Sequence, residues 1–194
     1  MIRMVVGAAA ASERQIRYFA EDSAMTSVLD AAELLEQRRH FEGVPLERYT
    51  PELWSLIDDK LPGLGPPWLR ELTLRFRIGG AGFQLKIEEG KDWKGRCIIP
   101  RPSNALWYVY HAYTSWAVEG LFKHRFVCFA EGGDQYGWVF RDDGNPDPEV
   151  FFFEQSGWDG GLASERNGLV PVGMRFSEFL SFGARWVPAE RAAK

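Results

Sequence analysis

The chain has 194 residues and a formal net charge of −4, and 45% of its residues are hydrophobic and 14% aromatic. That length and apolar share suffice for one sizeable core, and the acidic balance argues against nucleic acid as the main partner, because neutralising phosphates needs a basic patch. No apolar run is long enough to cross a membrane, and Cys97 and Cys128, both in apolar surroundings, are too few for a disulfide framework. A reducing, cytoplasmic setting fits that cysteine usage best.

Residues 1–25 read as a poorly ordered segment, or as a short helix over 13–19. The run Gly7-Ala8-Ala9-Ala10-Ala11 lacks the Leu and Phe of a signal peptide, and Glu13 and Arg14 follow closely. Met25 stands as an alternative start. Residues 26–186 are expected to form one domain, and 187–194 a frayed tail. Thr26 is placed to cap a helix running to about Arg39, with Val28, Leu29, Ala32, Leu34 and Leu35 as its apolar face.

Two stronger helix starts follow. Thr50 caps and Pro51 takes the first helical position, ahead of Leu53, Trp54, Ile57 and Leu61 at helical spacing. Pro62-Gly63 ends that helix. Pro66-Pro67 opens another, with Trp68, Leu69, Leu72 and Phe76 on one face, and Gly79-Gly80 stops it.

The pattern then changes period. Phe83 to Ile87 alternates apolar and polar, as a half-exposed strand does, and Cys97-Ile98-Ile99 reads as a short buried strand ended by Pro100. Residues 103–114 fit either a helix or a strand, and a helix is favoured from about Thr114. Three apolar runs come next: one from Phe126 to Ala130, one from Tyr136 to Phe140 and one from Val150 to Phe153. A Gly132-Gly133-Asp134 corner separates the first two, and a polar turn over 142–148 the last two. They predict a three-stranded antiparallel meander, with Gly132 and Gly133 supplying the reversal. Tyr136, Trp138 and Phe140 share one face, the richer in aromatics and so the core face. A last helix is expected over 176–182, with Phe176, Phe179 and Leu180 packed on the sheet. The fold class predicted is α+β, a central antiparallel sheet flanked by helices.

Few residues are arranged for chemistry. Gly79-Gly80-Ala81-Gly82 follows a helix rather than a strand, which is the wrong context for a phosphate cradle. His40, His111 and His124 do not fall at metal-ligand spacing with each other or with the cysteines, so neither metal nor cofactor is expected. Charge, however, is uneven. Residues 131–160 hold eight acidic side chains and one basic one, Arg141, whereas the third before them is net basic. Such asymmetry steers charged partners, and it also describes an ordinary solvated loop.

Phe129-Ala130, the Gly132-Gly133-Asp134 turn, the strand with Tyr136, the loop with Pro146 and Pro148 and the aromatic strand after it together resemble the signature of the SUKH superfamily, relatives of a fungal cell-wall synthesis regulator. The likeness spans residues 49–182 and includes the two Pro-initiated helices. Its specific motifs are residues 128–136 and 149–158. The family often has Ile-Pro before Phe-Ala and a longer glycine run, where this chain has Val127-Cys128 and two glycines. Many bacterial members are immunity proteins against polymorphic toxins. The resemblance therefore implies a non-catalytic module that binds a toxin with a basic surface, through Glu131, Asp134, Asp142, Asp143, Asp147, Glu154, Trp158 and Asp159. Trp158 would be an aromatic anchor and the carboxylates would steer. Two other readings stand beside it. One is an enzyme in which Glu131, Asp134, Glu154 and Asp159 converge in a pocket and divide acid and base roles. The other is a regulatory scaffold, as the fungal relatives suggest.

Overall fold

Proline and threonine set the helix starts, and β-rich aromatic runs set the sheet. A computed structural model describes residues 27–41, 43–60, 62–63, 65–86, 94–103, 125–133, 136–154 and 169–187. It is an α+β structure, with a six-stranded antiparallel sheet and four helices.

The first described helix, α1, covers 27–36 and buries Val28, Ala31, Ala32 and Leu35, which recur at helical spacing. It ends before Arg39 because that residue takes a left-handed φ of 60°, which turns the chain into a small hairpin. The hairpin pairs β1 (His40–Phe41) with β2 (Val44–Pro45) around Gly43. Helix α2 (Pro51–Lys60) starts as expected. The Leu53 amide donates to Thr50 Oγ1 at 3.2 Å, and Leu53, Trp54 and Ile57 are buried. Helix α3 (Pro67–Arg75) also starts at its proline, but it stops four residues before Gly79. Phe76 is already extended at φ −112°, and Phe76 and Ile78 are buried on either side of exposed Arg77. Burying two large apolar residues in alternation favours an extended segment here over another helical turn.

The sheet runs β3 (Gly82–Lys86), β4 (Lys94–Ile98), β5 (Phe126–Gly133), β6 (Tyr136–Arg141), β7 (Glu149–Glu154) and β8 (Leu169–Arg175), each paired antiparallel to the next in the chain. The expected meander is β5–β6–β7, extended on both sides. Gly132 and Gly133 lie inside β5 rather than at its corner. The pairing slips between Glu131 and Gly133, so glycine here accommodates a bulge. Pro171 is tolerated because β8 is the outer strand, where a missing amide breaks no ladder on the free side.

Helix α4 (Phe176–Arg185) follows β8 directly, and Phe176, Phe179 and Leu180 are buried, as the spacing predicts. An aromatic layer joins it to the sheet. Phe179 lies 4.9 Å from Phe83, 5.1 Å from Phe129 and 5.6 Å from Trp138, measured between ring centroids. Phe176 meets Phe129 at 5.0 Å and Phe140 at 5.5 Å, and Trp68 of α3 closes the layer against Phe140 at 5.3 Å. Val139, which points to the other face, is also fully buried, so the centre of the sheet is covered on both sides. Arg38, just past α1, donates to the carbonyls of Gly183, Ala184 and Trp186 and so caps the end of α4. The expected helix from Thr114, the ambiguous stretch 103–114 apart from Ser103, and the expected segments 1–25 and 187–194 apart from Val187 lie outside the described residues.

Candidate functional site

Of the eight residues singled out for partner binding, strand pairing divides the described ones between the two ends of the meander. Gly133 pairs with Tyr136, and Tyr136 with Glu154, so Glu131 and Glu154 belong to one end, with Asp134 in the two-residue connection there. Phe126 pairs with Arg141 at the other end, where the turn carrying Asp142, Asp143 and Asp147 joins β6 to β7. Five residue steps separate Tyr136 from Arg141 along β6, roughly 17 Å at strand rise. Trp158 and Asp159 lie outside the described residues, as do Asp134 and the side chain of Glu154.

The 142–148 turn is built by its own polar groups. The Asn145 amide donates to Asp143 Oδ1 at 3.0 Å, and the Asp147 amide donates to Asn145 Oδ1 at 3.0 Å. Both are the local turns that Asp and Asn side chains make with backbone two residues on. Gly144, at φ +88°, supplies the left-handed step. Arg125 donates from Nη2 to Asp142 Oδ2 at 3.0 Å, and the Asp142 amide donates to the Arg125 carbonyl at 2.8 Å.

Asp147 corrects the expectation. It is only 4% exposed. Its Oδ1 accepts from the Ser177 amide and its Oδ2 from the Ser177 hydroxyl, both at 2.8 Å. Arg175 donates from Nη1 to the Asp147 carbonyl at 2.9 Å. Asp147 is thus the cap of α4, supplied from a loop, and its carboxylate faces inward. The exposed charges at this end are also mixed. Asp143 and Glu149 are exposed, and so are Arg125, Arg141 and Arg175. Sequence inspection missed these partners because Arg125 and Arg175 lie outside the acidic stretch and reach it only through strand pairing.

At the other end Glu131 is half-buried, opposite Ile98 of β4. Its charge is felt by two buried groups. Burial pushes the Tyr49 phenol up, and Glu131 adds to the shift. Burial likewise pushes the Cys97 thiol well up, with Cys128 and then Glu131 contributing. Both groups are therefore held neutral. The Tyr49 hydroxyl donates to the Pro100 carbonyl at 2.9 Å.

Among the described residues, no group of three or more His, Cys, Asp or Glu is placed to hold a metal ion, and no helix is long and apolar enough to cross a membrane. Comparison of the chain with protein families, curated proteins and solved structures gives no match.

Proposed function

We propose that this chain is a non-catalytic protein-binding module of the SUKH type, an immunity protein that neutralises a toxin in the cytoplasm by direct contact. The resemblance motifs support this reading, because residues 128–136 and the start of 149–158 lie on neighbouring strands of one meander. We place the contact at the end of the sheet that holds Asp134 and Glu154, with Trp158 and Asp159 following in the chain. The observation that carries the choice of end is how the other end is bonded. There Asp142 is paired with Arg125, Asp143 closes a turn and Asp147 caps α4. A partner engaging those carboxylates would have to replace bonds already made.

The test is capture of the tagged protein from a host that expresses a toxin and its delivery system, with mass spectrometry of what co-elutes. We expect one stoichiometric partner carrying a toxin domain, and we expect capture to fall for D134N combined with W158A. The D142N/D143N pair should leave capture unchanged. Absence of a toxin partner would overturn the immunity reading. Capture lost only with D142N/D143N would move the contact to the opposite end.

A further inference from the structure

Between helices α2 and α3 and strand β5 lies a largely buried cavity of about 50 Å³. Ile57, Leu69, Ile78, Ile99, Val127 and Phe129 form much of its wall. It lies beside the bulge in β5. Strict alternation would send Val127 and Phe129 to one face and Cys128 to the other. The pairing slips between Cys128 and Ala130, and all three residues line the same cavity. Bulges re-aim side chains in this way, often beside functional sites.

By volume the cavity has room for a few waters, at about 10–15 Å³ each. Water also needs two or more polar partners, and those on this wall are engaged. The Tyr49 hydroxyl is bound to the Pro100 carbonyl. The Trp54 indole N–H donates to Thr73 Oγ1 at 3.0 Å, and the Thr73 hydroxyl donates to the Arg70 carbonyl at 3.1 Å. The Cys128 thiol faces the Ala130 carbonyl at 3.7 Å. A cavity with such walls stays dry and favours apolar contents. Among the described lining residues only Gly65 is not buried, which points to a way out beside it. Gly65 holds φ +78°, and it places no side chain of its own there.

We propose that this cavity is a binding site for a short aliphatic group of a few carbons. An engineered cavity of about 150 Å³ takes benzene, so one a third of that size admits an alkyl group and excludes an aromatic ring. The group is either a small free molecule or the end of a longer chain whose remainder leaves past Gly65.

Xenon, which dry apolar cavities take up, is the first probe. Methyl NMR of the intact protein under xenon pressure should shift the Ile57, Leu69, Ile78, Ile99 and Val127 methyls and leave those of Val150 and Leu180 in place. Linear alcohols from ethanol to hexanol should then displace xenon, with affinity rising about fourfold per methylene. A rise that stops at butanol identifies a free small ligand. A rise that continues to hexanol identifies the tip of a longer chain. Val127→Ile, which adds one methyl inside, should abolish the xenon shifts and raise the unfolding temperature. Absent or uniform methyl shifts in the unaltered protein would overturn the proposal, as would failure of every alcohol to displace xenon.

Discussion

Asp147 lies 30 residues before Ser177 in the chain, yet it supplies both bonds that satisfy that residue at the start of α4. The position just before the helix is Arg175, whose side chain makes no cap. Its amide is instead covered by Glu178 Oε2 at 2.8 Å. The first turn thus draws one carboxylate from the helix itself and one from the β6–β7 turn. Removing the second leaves a buried amide and a buried hydroxyl unpaired. Asp147→Ala should therefore cost about 2–3 kcal/mol, and Asp147→Asn, which keeps one acceptor, about 1 kcal/mol. Urea unfolding reads both as a lower midpoint at unchanged slope. If Asp147→Ala costs no more than an exposed Asp143→Ala, the cap assignment is wrong. The same substitutions also separate stability from recognition, because a carboxylate held inside cannot meet a partner.

At the scale of elements, the clearest sequence signals were the local ones. Thr50-Pro51 and Pro66-Pro67 start α2 and α3 because proline fixes φ and threonine supplies an acceptor within three residues. Thr50→Ala should cost about 1 kcal/mol, read in the same unfolding assay. Signals that depend on distant chain were not legible. Strand β8 contains Pro171 and Gly173, which weaken a strand pattern, and only the sheet order makes β8 an edge that tolerates them. The division of the acidic residues between two ends was hidden for the same reason, since it follows from strand register. Packing of α4 on β3 is likewise non-local. A Cβ placed on Gly183 would come within 2.4 Å of Phe83 Cε1. That ring is held by Phe179 at 4.9 Å and Phe182 at 5.9 Å and is 1% exposed, so it has nowhere to move. Gly183→Ala gains about 1 kcal/mol of helix propensity and loses about 1–3 kcal/mol to overpacking, for a net loss of up to about 2 kcal/mol. Combining it with Phe83→Leu should cost less than the two changes summed, because the smaller side chain relieves the clash.

Over the whole molecule, the sheet is enclosed at its centre, and that enclosure has a consequence at alkaline pH. Cys97 is fully buried, and its thiol is pushed well up by burial, by Cys128 and by Glu131. Tyr49 is pushed up by burial and by Glu131. In the unfolded chain these groups release their protons near pH 8.5 and 10. In the folded chain they keep them. The folded state therefore holds more protons as pH rises, and stability is full below about pH 8 and falls above it. Each buried group removes about 1.4 kcal/mol per pH unit once its unfolded form ionises. Cys97 acts first, above about pH 8.5, and Tyr49 joins above about pH 10. Unfolding free energies measured in urea at pH 7.5, 9 and 10 should fall for the unaltered protein. Cys97→Ala is less stable at pH 7.5 because it leaves a small void, yet its decline between pH 9 and 10 should be shallower by one proton. Tyr49→Phe should match the unaltered protein's slope up to about pH 9 and fall less steeply, by one proton, only above about pH 10. Equal slopes for Cys97→Ala and the unaltered protein would mean that Cys97 ionises alike in both states. The thiol on β4 would then not be sealed, and the packing that encloses this side of the sheet would have to be redrawn.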